Sequence, residues 1–134
     1  MPLPRFLLLL LPGLLAACQP HKAPAPAVLP PVLAVLEGTW LNLPEETRGD
    51  TLVYRPNTYR FAPARGRTGF KIGPYGRFMQ YDIAPTDGLE GHPGTWTAAP
   101  TGTALRIHLT DNQQPDYTLA ILSLDHGVLT LVRR

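Results

Sequence analysis

Cysteine and serine are nearly missing from this chain, with one of each, Cys18 and Ser123, in 134 residues. A lone thiol excludes an intrachain disulfide framework and a thiolate-bound zinc cluster. A lone serine leaves no Gly-x-Ser-x-Gly elbow, and so no serine hydrolase of that design. Charge is sparse as well. Asp, Glu, Lys and Arg make up 16% of the residues and the formal net charge is +2, too little for a solvated coil. Helical periodicity is almost absent. Only Val32 to Leu36 reads as a short helical turn, following Pro30 and Pro31, because proline suits a helix start. What the chain does have is punctuation: 16 prolines and 12 glycines separate short β-rich runs. The length allows one domain.

The first thirty residues read as an address. Met1 to Arg5 carries one positive charge, Phe6 to Leu15 is apolar, and Leu15-Ala16-Ala17-Cys18 follows. Ten apolar residues would span roughly 15 Å as a helix, half a bilayer, which is a signal-peptide core and not a transmembrane anchor. Leu15-Ala16-Ala17-Cys18 resembles the lipobox of bacterial lipoproteins at all four positions. That resemblance implies removal of residues 1–17 and a lipidated Cys18 as the new N-terminus. It also implies attachment to an envelope membrane. Gln19, which is not aspartate, would not retain a Gram-negative lipoprotein at the inner membrane, so the expected location is the outer membrane, facing the periplasm. Two or more acyl chains hold a protein stably on a bilayer. Residues 18–31 then form a tether. Five prolines stand between Gln19 and Pro31, and a polyproline-like stretch of that size reaches on the order of 40 Å.

Residues 32–134 read as an all-β domain. Glu37 to Asn42 carries Trp40. Thr51 to Arg55 and Thr58 to Ala62 flank Pro56-Asn57 and suggest a hairpin. Thr68 to Ile72 is a weaker run. In Arg77 to Ala84, Phe78, Gln80 and Asp82 share one face while Met79, Tyr81 and Ile83 share the other. Asp87-Gly88 suits a turn with positive φ at the glycine. Gly94 to Ala98 brings Trp96. In Ala104 to Thr110, Leu105, Ile107 and Leu109 point inward. Tyr117 to Leu124 and Val128 to Arg133 close the chain around a turn at Asp125 to Gly127. About eight short strands in sequential hairpins are most economically an antiparallel up-and-down barrel, because closure removes exposed edges.

Gly38-Thr39-Trp40 resembles the Gly-x-Trp opening of lipocalins and related calycin-type barrels. The family's pattern implies a short helical turn before the first strand. It also implies a basic residue late in the barrel that packs across the tryptophan, here Arg133, with Arg134 the second candidate. Gly38, Trp40 and Arg133 are therefore the expected barrel-closing set. The chain departs from the family in being short and lacking disulfides, with no room for a late long helix. Avidin-like barrels also open on Gly-Thr-Trp, but their biotin-binding constellation has no counterpart that can be placed here.

Charge is segregated along the domain. Arg55, Arg60, Arg65, Arg67, Lys71 and Arg77 fall between Thr51 and Tyr81 without an acid, whereas Asp82 to Asp125 holds six acids and one base, Arg106. The basic stretch is also rich in aromatics. Arginines beside exposed backbone suit a carboxylate, phosphate or sulfate, which the guanidinium fork binds bidentately. Arg65, Arg67, Phe70, Arg77 and Tyr81 are accordingly the candidate ligand-binding residues. The plainer reading is that these arginines pair with the acidic half and the aromatics are core. Export makes a single-stranded nucleic-acid surface a poor fit. Asp87, Glu90 and His92 lie close in one loop, but no second ligand pair accompanies them, and no metal or other cofactor is expected. His108 and His126 read as solvated or structural histidines, and the polar loop Asn112 to Asp116 reads as solvated.

The expected protein is thus a monomeric, non-enzymatic, lipid-anchored barrel. It would contact the membrane through its N-terminal lipid and bind a small apolar or amphipathic, possibly anionic, ligand. The alternative is an envelope structural or interaction protein whose barrel is filled by its own side chains.

Overall fold

The computed structural model describes residues 31–134, with side chains from Leu33 onward. The leader, the lipobox with Cys18 and the tether through residue 30 lie outside the described residues. A single helical turn, α1 (Pro31–Ala34), comes first, with proline at its start. Eight strands follow: β1 (Gly38–Asn42), β2 (Thr51–Pro56), β3 (Gly69–Ile72), β4 (Arg77–Ile83), β5 (Leu89–Ala98), β6 (Ala104–Leu109), β7 (Tyr117–Asp125) and β8 (Val128–Arg133). They close into an all-antiparallel barrel in the order β1-β2-β8-β7-β6-β5-β4-β3.

The up-and-down order expected of the whole chain applies to β3 through β8 and needs correction at the seam. There β1 pairs with both β2 and β3, and β2 pairs with β8. The hairpin expected between Thr51–Arg55 and Thr58–Ala62 is absent for the same reason. β2 finds its partners in β1 and β8, and the segment from Asn57 to Thr68 connects β2 to β3 past β1. It leaves with Asn57 N–H donating to Thr39 O and arrives with Asn42 N–H donating to Thr68 O. Side-chain pattern made Thr58–Ala62 strand-like, but a strand also needs an edge to pair with, and closure leaves none free.

Turn chemistry accounts for the remaining connections. His126 and Gly127, both at positive φ (48° and 73°), form the two-residue turn that matches the twist of a hairpin. At the β4–β5 turn the left-handed residue is Asp87 (φ 63°), not Gly88 as the sequence suggests. Aspartate tolerates that region better than most residues. A β-bulge between Ile121 and Ser123 interrupts β7 and turns Leu122 out to solvent.

Alternation decides what lies inside. Leu105, Ile107 and Leu109 of β6 and Leu129 and Leu131 of β8 are each 1% exposed, and Trp40, Phe70, Ile72, Phe78 and Trp96 join them in one core. Leu33 and Leu36, three residues apart and so on one face of the α1 turn, are buried against the same core. Trp40 donates its indole N–H to Leu36 O at 2.9 Å, fastening that turn to β1. Trp96 does the same with Gly73 O at 3.0 Å, fastening β5 to the β3–β4 turn. The barrel is therefore packed around its two tryptophans.

Candidate functional site

The inner face of β4 runs Phe78, Gln80, Asp82, and its character changes along that run from apolar to charged. Phe78 is in the core; Gln80 is only 4% exposed, and Asp82 lies toward the end where β1, β4, β6 and β8 finish. Those four strands all run toward that end, because neighbouring strands alternate in direction. There the barrel opens into a cavity of about 270 Å³. Leu52, Phe70 and Leu119 supply apolar lining, and Tyr54, Gln80, Asp82, Tyr117 and Arg133 supply polar groups.

A chain of hydrogen bonds organises the polar groups. The Tyr117 hydroxyl donates to Gln80 Oε1 at 2.6 Å, and Gln80 Nε2 donates to Asp82 Oδ2 at 2.7 Å. Gln114 Nε2 donates to the same oxygen at 3.3 Å, while Gln114 Oε1 accepts from Arg133 at 2.7 Å. The Arg133 guanidinium lies over the Tyr117 ring, 3.8 Å from its centroid. A buried glutamine with both ends satisfied is tolerable where an unpaired one would cost about 1–3 kcal/mol. Burial holds the phenols of Tyr54 and Tyr117 above the ordinary tyrosine range. Both therefore act as neutral hydrogen-bonding groups at physiological pH.

His92 of β5 stands beside this network. Its Nδ1 is 2.5 Å from Asp111 Oδ2, and its Nε2 faces Asp82 Oδ2 at 3.5 Å. The hydrogen bond to Asp111 raises the His92 pKa above its usual 6.5 despite burial, with Asp111, Glu90 and Asp82 adding favourable charge. Asp111 is lowered from 3.8, first by the backbone N–H of Gln113 and then by His92. The sign of the pH dependence follows. The raised histidine contributes stability fully below pH 6.5 and loses it as pH rises through its folded pKa, while the lowered aspartate loses its share in acid below 3.8. The Tm difference between the parent and His92→Gln is expected to be greatest between those two values and to shrink in alkali. A difference constant from pH 6.5 upward would contradict the ion pair.

The structure scatters the sequence-derived candidates. Phe70 and Tyr81 line the mouth cavity; Arg65, Arg67 and Arg77 do not. Arg67 is a structural strut. Its guanidinium grips Glu45 through two 3.2 Å bonds, donates to Asn42 O and Ala62 O, and covers the Phe61 ring. Four of its five donors are thereby engaged. The carboxylate it neutralises, Glu45, is lowered from its usual pKa by that bond. Arg65 is largely exposed, with only a 3.8 Å pairing to Asp87. Arg77 starts β4 on the outer wall. Arg133 is corrected in role: it stacks on Tyr117 at the mouth, whereas Trp40 is held by Leu36 O.

Gln80, Asp82, His92, Asp111, Gln114 and Tyr117 were not singled out by the sequence as one cluster. The signal for β4 was its alternation, which put Gln80 and Asp82 on the face of Phe78. For Gln114 and Asp111 there was none, since a polar loop and the residue before it read as solvated until the strand opposite is known. The Asp87–Glu90–His92 grouping comes apart in the fold: Asp87 stays in the turn, and His92 enters β5 to face Asp111. Among the described residues no three His, Cys, Asp or Glu side chains converge to hold a metal ion. His108 pairs with Asp116 at 2.7 Å on the outer face.

No protein-family model matches the chain, and no characterised protein or solved structure matches it either.

Proposed function

We propose that this protein is a lipid-anchored, non-enzymatic binding module that takes a small amphipathic ligand at the mouth of a filled barrel. The observation that carries this reading is the mouth cavity itself, about 270 Å³, where Leu52, Phe70 and Leu119 line it beside Asp82, Arg133 and two tyrosines. Ligand pockets typically occupy about 300–1,000 Å³, so this one suits a small molecule or the end of a larger one. The packed core beneath argues against a long apolar chain threading the barrel. Arg133, which has no carboxylate at ion-pair distance among the described residues, is the group for an anionic head, in place of the Arg65 and Arg67 pair. His92 is read as a structural ion-pair residue, its Nδ1 held by Asp111 at 2.5 Å and its Nε2 3.5 Å from Asp82. Ser123 is bonded to Thr130 and lies far along the bulged β7. The lipid anchor rests on the lipobox resemblance at Cys18.

Amide NMR shifts followed during titration with hexanoate, hexylamine and aminohexanoate test the proposal. The expected shifts cluster at Tyr54, Gln80, Tyr117 and Arg133. Arg133→Ala is expected to weaken the carboxylate probes about tenfold, the size of one charged hydrogen bond, and Asp82→Asn to weaken the amine probes similarly. If no probe moves these residues, and solvent extraction of the protein from its own membrane yields no bound small molecule, the binding reading fails. The filled barrel as a pure interaction protein then replaces it.

A further inference from the structure

The far end of the barrel, where α1 enters, carries features the mouth does not explain. Gly38 pairs with Ile72, so the residues just after α1 lie beside the β3–β4 turn. On this end Val35 is 61% exposed and Tyr75 is 96% exposed. Tyr75 also sits in the left-handed region (φ 57°, ψ 34°), which few non-glycine residues adopt. The turn holding it is rigid. Gly73 O accepts from Trp96, Gly73 N–H donates to Arg77 O at 2.8 Å, and Pro74 precedes the tyrosine. Tyr75 in its strained turn conformation and Val35 together leave two apolar side chains exposed at this end.

Next to the turn the outer wall has a groove of about 350 Å³ lined by Pro74, Met79 and Pro93, with Lys71 and Arg77 among its walls. Lys71, Met79 and Pro93 are direct register neighbours across β3, β4 and β5, which places them in one outward row. Neither Lys71 nor Arg77 has a carboxylate at ion-pair distance among the described residues. The acids at this end are the exposed Glu37 ahead of β1 and Asp125 at the end of β7, which pairs with His126 at 2.6 Å.

We infer that this groove and the β3–β4 turn seat the barrel on the anionic phospholipid of the membrane that holds its anchor. The inference rests on the proposed lipidation of Cys18. Two unpaired cations suit phosphate, and the apolar wall suits the glycerol and first methylenes. Tyr75 and Val35 suit the interface, where tyrosine keeps its ring apolar and its hydroxyl wet. The described chain enters the barrel at this end, so this end lies nearer Cys18 along the sequence than the mouth does. Tethering raises the local concentration of the lipid surface around the barrel. The mouth cavity then faces the aqueous compartment, open to its ligand.

The test uses the full lipidated protein in vesicles of phosphatidylcholine alone or mixed with phosphatidylglycerol. The folded part contains no cysteine, so Val35→Cys or Gln113→Cys, carrying a fluorophore, reports on the anchor end or the mouth. Spin-labelled lipid is expected to quench the dye at residue 35 several-fold more than at 113, and only when phosphatidylglycerol is present. Each basic side chain near an anionic surface contributes about a factor of five, so Lys71→Gln with Arg77→Gln is expected to lower the docked-to-free ratio about 25-fold. Tyr75→Ser, which leaves the charges in place, is expected to reduce quenching at residue 35 in part. Equal quenching at both positions, or a difference indifferent to phosphatidylglycerol and to both variants, overturns the docking surface. The mass of the purified chain reads lipidation at Cys18 separately. If Cys18 carries no acyl group the anchor reading fails, and the same comparison on the chain mixed with vesicles decides the surface alone.

Discussion

Trp40→Ala is expected to destabilise the protein by about 3–5 kcal/mol, the cost of truncating a large aromatic in a core. Trp40 is 6% exposed and packs in the main cluster. Its loss removes more than apolar area, because the indole N–H is the bond that holds Leu36 O. Leu33 and Leu36 then lose their fastening to β1, and the end they cover opens to water. For a domain of about a hundred residues such a change lowers Tm by more than about 10 °C. Leu122→Ala is the control: Leu122 is 56% exposed at the bulge and should change stability by less than about 0.5 kcal/mol. A Trp40→Ala protein that melts within a degree of the parent would show that Trp40 does not anchor this end.

Gly69→Ala is expected to cost at least about 3 kcal/mol, at or above the upper end for overpacking. A Cβ at residue 69 would stand 2.2 Å from Trp40 O and 3.1 Å from Leu41 Cα. Both are backbone atoms that cannot rotate away. Gly69 opens β3 opposite Leu41, at the seam where β1 is flanked by β2 and β3. The methyl group would therefore push apart the pairing that closes the barrel. Gly94→Ala, whose Cβ would lie 2.4 Å from His108 O, belongs to the same class. Gly88→Ala has nothing within 4 Å and should be neutral in a urea unfolding series. If Gly69→Ala and Gly88→Ala have the same midpoint, the close approach of β3 to β1 is not a feature of the folded protein.

Together these substitutions separate two kinds of information. Leu105, Ile107 and Leu109 were recognisable as core because alternation over six residues is a local property, and the barrel buries that face as expected. The hairpin of β7 and β8 was equally legible, since His126-Gly127 satisfies its turn within two residues. Thr58–Ala62 was misleading. Its Thr-Tyr-Arg-Phe pattern is as strand-like as that of β3, and nothing inside the segment says that β1 already occupies the place beside β2. The site shows the same division. Phe70 and Tyr81 are among the residues lining the cavity, but Arg67 is not, because Glu45, 22 positions away, claims its guanidinium.

What the amino-acid sequence determined by itself was the number and placing of most strands, the helical turn before β1, and the inward face of β6. These follow from φ/ψ preference and a period of two, which act over a few residues. Only the tertiary structure decided the interchange of β1 and β2, the grouping of Gln80, Asp82, Gln114 and Arg133, and the pairing of His92 with Asp111. Those depend on which strands become neighbours when the sheet closes. Closure is set by the total of all the pairings and the packing of the interior, so no single segment carries it.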